Sequence, residues 1–130
     1  MSITVVAAAL IWRENKVLIA RRAPGQKHEG GWEFPGGKVE AEETGESALH
    51  RELSEELCID ASIGACFTQS EYEYDTGAIL LVAYHVREYT GEPQMTVHDR
   101  IAFAAPEDLL CYPLLPADRP IAELLRKQAH

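Results

Sequence analysis

The hydrophobic pattern divides the chain into short apolar runs and two amphipathic stretches. Residues 3–12 (ITVVAAALIW) are apolar at nearly every position. This predicts a strand covered on both faces. A polar turn, Arg13-Glu14-Asn15, separates it from KVLIA at 16–20, and the pair predicts a β-hairpin. Residues 61–74 and 78–88 read as two further strands around the turn Asp75-Thr76-Gly77. Tyr72 and Tyr74 alternate with Glu71, Glu73 and Asp75, which predicts one solvated face. Residues 89–95 (YTGEPQM) read as a loop, 97–104 as a short last strand, and Pro106-Glu107-Asp108-Leu109 as a helical turn. Residues 116–127 predict a closing helix with Ile121, Ala122, Leu124 and Leu125 inward.

The remaining amphipathic stretch, 44–57, carries an unusual polar face. Thr44 is the expected N-cap, with Glu46 in the first turn. At 100° per residue, Leu49, Leu53 and Leu57 form one stripe, and Glu52, Glu55 and Glu56 lie within about 100° of arc beside it. Like charges three and four residues apart repel by a few tenths of a kcal/mol per pair when solvated. Helix stability does not account for them, whereas a divalent cation would neutralise them. Mg²⁺ takes hard oxygen ligands, typically one or two carboxylates plus substrate phosphates. A solvated acidic face is the alternative for such a triplet taken alone.

Before this helix, residues 24–31 (PGQKHEGG) predict a mobile flap in which His28 faces solvent. Trp32 and Phe34 are candidates for a base pocket or for plain core packing. Gly36 and Gly37 have the freedom to adopt positive φ and to let a phosphate or metal approach the backbone.

Gly37, five residues, Glu43, seven residues and then Arg51-Glu52-Leu53-Ser54-Glu55-Glu56-Leu57-Cys58-Ile59 resembles the box of the Nudix family, Gly-x5-Glu-x7-Arg-Glu-aliphatic-x-Glu-Glu-x-Gly-aliphatic. Every specified position matches except Cys58, which stands where the family has glycine. A cysteine in the left-handed conformation that suits this glycine would cost about 1 kcal/mol. The resemblance implies an α/β fold with a mixed sheet sandwiched between helices (α/β/α). The implied reaction is hydrolysis of a nucleoside diphosphate linked to a second group. It implies Mg²⁺, or Mn²⁺ as a substitute, on the Gly37 carbonyl, Glu52 and Glu56. Glu55 would bind a second metal or deprotonate the attacking water. Arg51 would pair with Glu43 or another carboxylate of the box, with plain surface charge as its alternative. Arg22 is expected on phosphate, and Phe34, Pro35, Gly36, Gly37, Lys38 and Val39 along the substrate. The family's further loop carboxylate aligns with Val97, leaving His98 or Asp99 as substitutes or as parts of a polar turn.

Residues 110–121 (LCYPLLPADRPI) and Trp32-Glu33-Phe34 resemble the CTP pyrophosphohydrolase branch of the MutT-like proteins. That branch implies CTP, dCTP and modified (5-methyl or oxidised) nucleotides as substrates. Asp118 stands where it contacts the base, and a carboxylate accepts from the cytosine N4 amino group. Capping the last helix is the other role open to Asp118. Two alternatives remain at this stage: a sanitiser of 8-oxo-dGTP, and a nucleotide or ADP-ribose sensor without turnover.

Composition narrows this only slightly. The 130 residues are expected to form one Nudix domain, 1–130. A net charge of −9 argues against a nucleic-acid polymer as partner, since a polyphosphate backbone needs a basic footprint. The three cysteines, Cys58, Cys66 and Cys111, have no metal spacing and suggest free thiols in a reducing compartment. With no apolar leader or membrane-length run, a cytoplasmic monomer or homodimer is expected.

Overall fold

The computed structural model describes residues 3–128. The long first run forms β1 (Ile3–Arg13), which is the axis of a mixed sheet. It pairs in parallel with β7 (Gly77–Val86) from Ile3↔Ala78 to Ile11↔Val86. It pairs antiparallel with β2 (Lys16–Arg22) at the hairpin and with β4 (Gly36–Lys38) at Val6↔Lys38, Ala7↔Gly37 and Ala8↔Gly36. The strand order is β3-β2-β1-β7-β6, where β3 is Trp32–Glu33 and β6 is Cys66–Tyr74. β9 (His98–Ala104) pairs with β2.

Apolar residues occupy successive β1 positions because both faces are covered. Ala7, Ala9 and Ile11 join Leu18 and Ala20 against Leu49, Leu53 and Leu57 of helix α1 (Gly45–Leu57). Ala8 and Leu10 join Val17 and Ile19 against Leu109, Ile121, Ala122 and Leu125. Those residues lie in a 3-10 turn (Pro106–Cys111) and in α2 (Arg119–Gln128). The sheet is therefore sandwiched between helices, as expected. Burial is complete from Ala7 to Ile11 and gives way at the two ends of β1, most at the start, where Ile3 is 48% and Val5 38% exposed.

Two expected strands are each broken in two. Residues 60–74 form β5 (Asp60–Ser62) and β6, and residues 77–90 form β7 and β8 (Glu88–Thr90). β5 and β8 pair with each other as a separate two-stranded sheet. Alternation along the chain does not show a change of partner, so the breaks were not visible in the pattern. Among the described residues no helix is long and apolar enough to cross a membrane.

Candidate active site

Helix α1 is built to hold its acids still. Thr44 Oγ1 accepts from the Ser47 backbone N–H, and Ser47 Oγ accepts from the Thr44 N–H, closing a reciprocal cap. The helix ends at Cys58, which does adopt the left-handed conformation (φ 60°, ψ 35°) that the family glycine suits. The open carbonyls of the last turn are taken by the following loop. Thr96 Oγ1 donates to the Glu56 carbonyl at 2.7 Å, and the Gln94 N–H to the Leu57 carbonyl at 2.9 Å.

Arg51 organises the acidic face. Its Nε and Nη2 donate to the two oxygens of Glu43 at 2.6 and 2.8 Å, a bidentate pair. Its Nη1 reaches Glu52 at 3.1 Å and Glu55 at 3.3 Å, and Nη2 also reaches the Lys38 carbonyl at 3.2 Å. The guanidinium hydrogen bonds, helped by the Glu40 N–H, pull the Glu43 carboxyl down to about 2. Arg51 itself is raised by Glu43.

Glu52 and Glu56 are shifted in the opposite direction. Burial pushes Glu52 up, against the pull of Arg51. Glu56 is pushed up to about 8, first by burial and then by the charges of Glu52 and Glu33. Its Oε1 is buried without a hydrogen-bond partner. Glu55 is the exposed member, with 59% of its side chain accessible.

Gly36 and Gly37 are required for space, not for positive φ, and neither adopts it. A Cβ on Gly37 would run into the Glu52 carboxylate, and one on Gly36 into the Ala7 carbonyl. Gly37 thus lets an acidic side chain lie against bare backbone. An orphaned buried carboxylate oxygen, a second, half-buried carboxylate and this cradle fit a hard divalent cation. Among the described residues no three ligating side chains close into a complete cage.

Gly37 also borders a cavity of about 260 Å³ lined by Val6, Arg22, Lys27, His28, Glu33, Phe34, Gly36, Lys38, Tyr74, Thr76, Ile79, Leu81, Leu115 and Asp118. A larger cleft of about 610 Å³, beside Trp12, Arg87 and Glu107, contains none of the box residues. At the first cavity, Asp118 is only 4% exposed and its Oδ1 accepts from the Phe34 N–H at 3.0 Å. Burial, and then the charge of Glu33, hold its carboxyl well above the ordinary range, against the Phe34 N–H. One carboxyl oxygen is therefore engaged by the link between β3 and β4, while the backbone carbonyl accepts from the Ala122 N–H of α2. The neighbouring Ala117 N–H donates to the Tyr74 hydroxyl at 3.0 Å, which ties this segment to β6.

The other expected site residues are placed unevenly around the cavity. Pro35 and Val39 lie off the cavity. The Pro35 carbonyl accepts from the Ala9 N–H and the Val39 N–H donates to the Val5 carbonyl, so both hold strand register. Arg22 lines the cavity, but its donors are committed to Glu33 (3.1 and 3.3 Å), Gln26 and the Lys27 carbonyl. His28 is exposed, yet it also lies over the Tyr74 ring at 4.8 Å on the cavity wall. Trp32 belongs to the core and meets Tyr112 edge-on. Neither His98 nor Asp99 reaches the acidic helix by a side-chain bond. Asp99, skipped where the β2–β9 register shifts, is held bidentately by Arg21 at 2.8 and 2.9 Å. His98 is buried at the start of β9 with Nε2 2.9 Å from Glu33. Glu33 has no role of its own in the sequence pattern, where it stands between two aromatic residues. The available signal was a charged residue inside an otherwise buried strand.

The NUDIX domain model matches residues 2–126. The chain is 42% identical over 123 residues to the CTP pyrophosphohydrolase of Escherichia coli K12, covering 95% of this chain and 91% of that protein. It is 43% identical over 89 residues to an 8-oxo-dGTP diphosphatase of Haemophilus influenzae, covering 68% of this chain and 65% of that one. The solution structure of the E. coli ORF135 protein superimposes with a TM-score of 0.89 at 40% identity, covering 98% of this chain and 91% of the other. With the box on a capped helix, its glycine against the helix acids and a mixed sheet between helices, the chain belongs to the Nudix hydrolase family.

Proposed function

We propose that this protein is a Mg²⁺-dependent pyrophosphohydrolase of cytidine-type triphosphates, CTP or dCTP and their modified forms, releasing nucleoside monophosphate and pyrophosphate. The observation that carries the reading is Asp118, buried on the wall of the same cavity that Gly37 borders next to Glu52. One cavity thus offers a base-reading group and access to the acidic face. In the ionised state Asp118 accepts from the cytosine N4 amino group. When it holds its proton it can in addition donate to N3.

In this reading Glu52, Glu56 and the Gly37 carbonyl hold the metal, and Glu55 holds a second ion or takes the proton of the attacking water. A bound Mg²⁺ would neutralise polyphosphate charge and lower the pKa of a coordinated water. Arg51 positions Glu52 and Glu55, and Glu43 holds Arg51 in turn. Water attacks the β-phosphorus, the bond from it to the α-bridging oxygen breaks, and that oxygen leaves with the monophosphate. Hydrolysis of CTP in ¹⁸O water tests this. The label is expected in pyrophosphate. Nucleoside diphosphate as the main product would sink the reading.

A second reading, hydrolysis of 8-oxo-dGTP, is supported by the diphosphatase relative. Comparing kcat/KM for CTP, dCTP, 5-methyl-dCTP and 8-oxo-dGTP separates the two.

A further inference from the structure

The face of the sheet that carries α1 is only partly covered. α1 packs over β1, β4 and β5, and on this face β1 is sealed from Ala7 to Ile11. Before Ala7 the same face opens: Ile3 and Val5 are the exposed residues at the start of β1. The parallel register sets them beside Ala78 and Leu80 of β7, with Val82 next in the row, and all three are half-buried. These five side chains form one apolar patch. The neighbouring strand β6 is the edge of the sheet. On this face it presents Gln69, Glu71 and Glu73 opposite Val82, Leu80 and Ala78, and each of the three is exposed.

Acids border the patch on its other sides as well. Val39 donates its N–H to the Val5 carbonyl, and the exposed Glu40 follows it. Glu46 is exposed in the first turn of α1, where Gly45 lies against the hydroxyl of Tyr84, further along the same face of β7. Lys38 pairs with Val6 and is turned to the opposite face, where it lines the cavity. An apolar centre with carboxylates around it suits a partner that is apolar and basic. A second copy of this chain would set acids against acids, and an anionic bilayer would be repelled. The shape indicates a helix. Three strands about 4.8 Å apart, over the span from Ala78 to Val82, give an opening of about 10 by 13 Å. A helix is about 10–12 Å across, and a half-covered sheet face is completed by a helix laid on it.

We propose that this face is a docking site for an amphipathic helix of a partner protein, apolar on one side and rich in lysine or arginine along its flanks. The helix lies beside α1 with its apolar side on Val5 and Leu80 and its cations over Glu71 and Glu73. Val6, Ile79 and Leu81, at the intervening positions of the same strands, line the cavity on the opposite face. The docked helix is therefore one sheet thickness from the cavity.

The test uses a fluorescein-labelled synthetic leucine–lysine amphipathic helix of roughly 14 residues, long enough to fold on contact. Its Kd is measured by fluorescence anisotropy in about 0.15 M salt, where diffuse attraction to a net charge is screened. Glu71→Lys/Glu73→Lys is expected to weaken binding at least about tenfold. Leu80→Ser is expected to weaken it by roughly tenfold through lost apolar burial. Glu107→Lys/Glu123→Lys changes the net charge equally at exposed positions elsewhere and should move Kd by less than about twofold. Leu80→Ser is checked for a cooperative melt, and the charge-reversed pairs carry the test if it does not fold. No binding at about 0.1 mM peptide would overturn the proposal. So would equal weakening by the two charge-reversed pairs, or an unchanged Kd in a folded Leu80→Ser. A dimer in sedimentation that Glu71→Lys/Glu73→Lys or Leu80→Ser dissociates would give the face to a second copy instead. Flotation with phosphatidylglycerol vesicles that Leu80→Ser abolishes would give it to a membrane, and either result also overturns the proposal.

Discussion

At α1, Glu56 is half-buried with one buried oxygen unpartnered, beside two more carboxylates; at the far wall of the cavity, Asp118 is buried with one oxygen on a backbone N–H. Both carboxyls are pushed upward by burial, and Glu33 adds to each. They differ in what relieves the strain. The Asp118 site is closed within the protein, because the Phe34 N–H satisfies it and the Tyr74 hydroxyl fastens the adjacent residue. The Glu56 site is left open, with like charges crowded around an oxygen that none of the described residues satisfies. A site completed by the chain can orient a base without help, whereas a site left incomplete is suited to an ion that arrives with the substrate.

The most severe way to break the comparison is to remove charge at the open end. Glu52→Gln and Glu56→Gln keep the side-chain shape and are each expected to lower kcat by about 10²–10⁴-fold. In EDTA both should be at least as stable as the parent, because like-charge repulsion is relieved. Near-normal Mg²⁺-dependent turnover in either variant would contradict the assignment of that glutamate.

At the closed end a smaller and qualitatively different effect is expected. Asp118→Ala should flatten the preference between cytosine and uracil triphosphates by about 5- to 150-fold, from about 1–3 kcal/mol of base contact. It also strands the Phe34 N–H, at about 1–3 kcal/mol of stability. Asp118→Asn keeps an acceptor for Phe34 and should recover stability while shifting preference toward oxidised guanine. A base ranking unchanged in the alanine variant would leave Asp118 as a purely structural tie.

The pH dependence of stability sharpens the contrast further. Glu56 binds its proton more tightly folded (about 8) than at its ordinary value of 4.5, and Asp118 is shifted in the same direction. The folded state then holds more protons than the unfolded one, so stability falls as pH rises through this window. In EDTA, Tm should decline from pH 5 toward pH 9. Mg²⁺ should cancel only the share that Glu56→Gln also removes. The Asp118→Asn share should remain metal-independent. A Tm profile that is flat in EDTA would contradict both assignments.

The smallest effect concerns the exit of α1. Cys58→Gly relieves a left-handed non-glycine residue and should stabilise the protein by about 1 kcal/mol, read as a small rise in Tm. Because Cys58 lies past the acidic face, the kinetic constants should not move.

The sequence alone determined the elements whose physics is local. The capped helix, its leucine stripe, its three acids and the hairpin before it follow from spacing of 3.6 and 2 residues, and all are present. The Nudix box was legible as a family resemblance because its members fall in one continuous stretch, on a strand, a helix and the turns beside them. What only the tertiary structure decided depends on residues far apart in the chain. The Asp118 carboxylate holds Phe34, 84 residues away, instead of capping α2, and His98 holds Glu33 across 65 residues. The exchange of strand partners that splits residues 60–90 into two sheets is equally non-local. Periodicity records which face of an element is buried; it carries no record of which distant donor a buried carboxylate finds, because that depends on how whole elements pack.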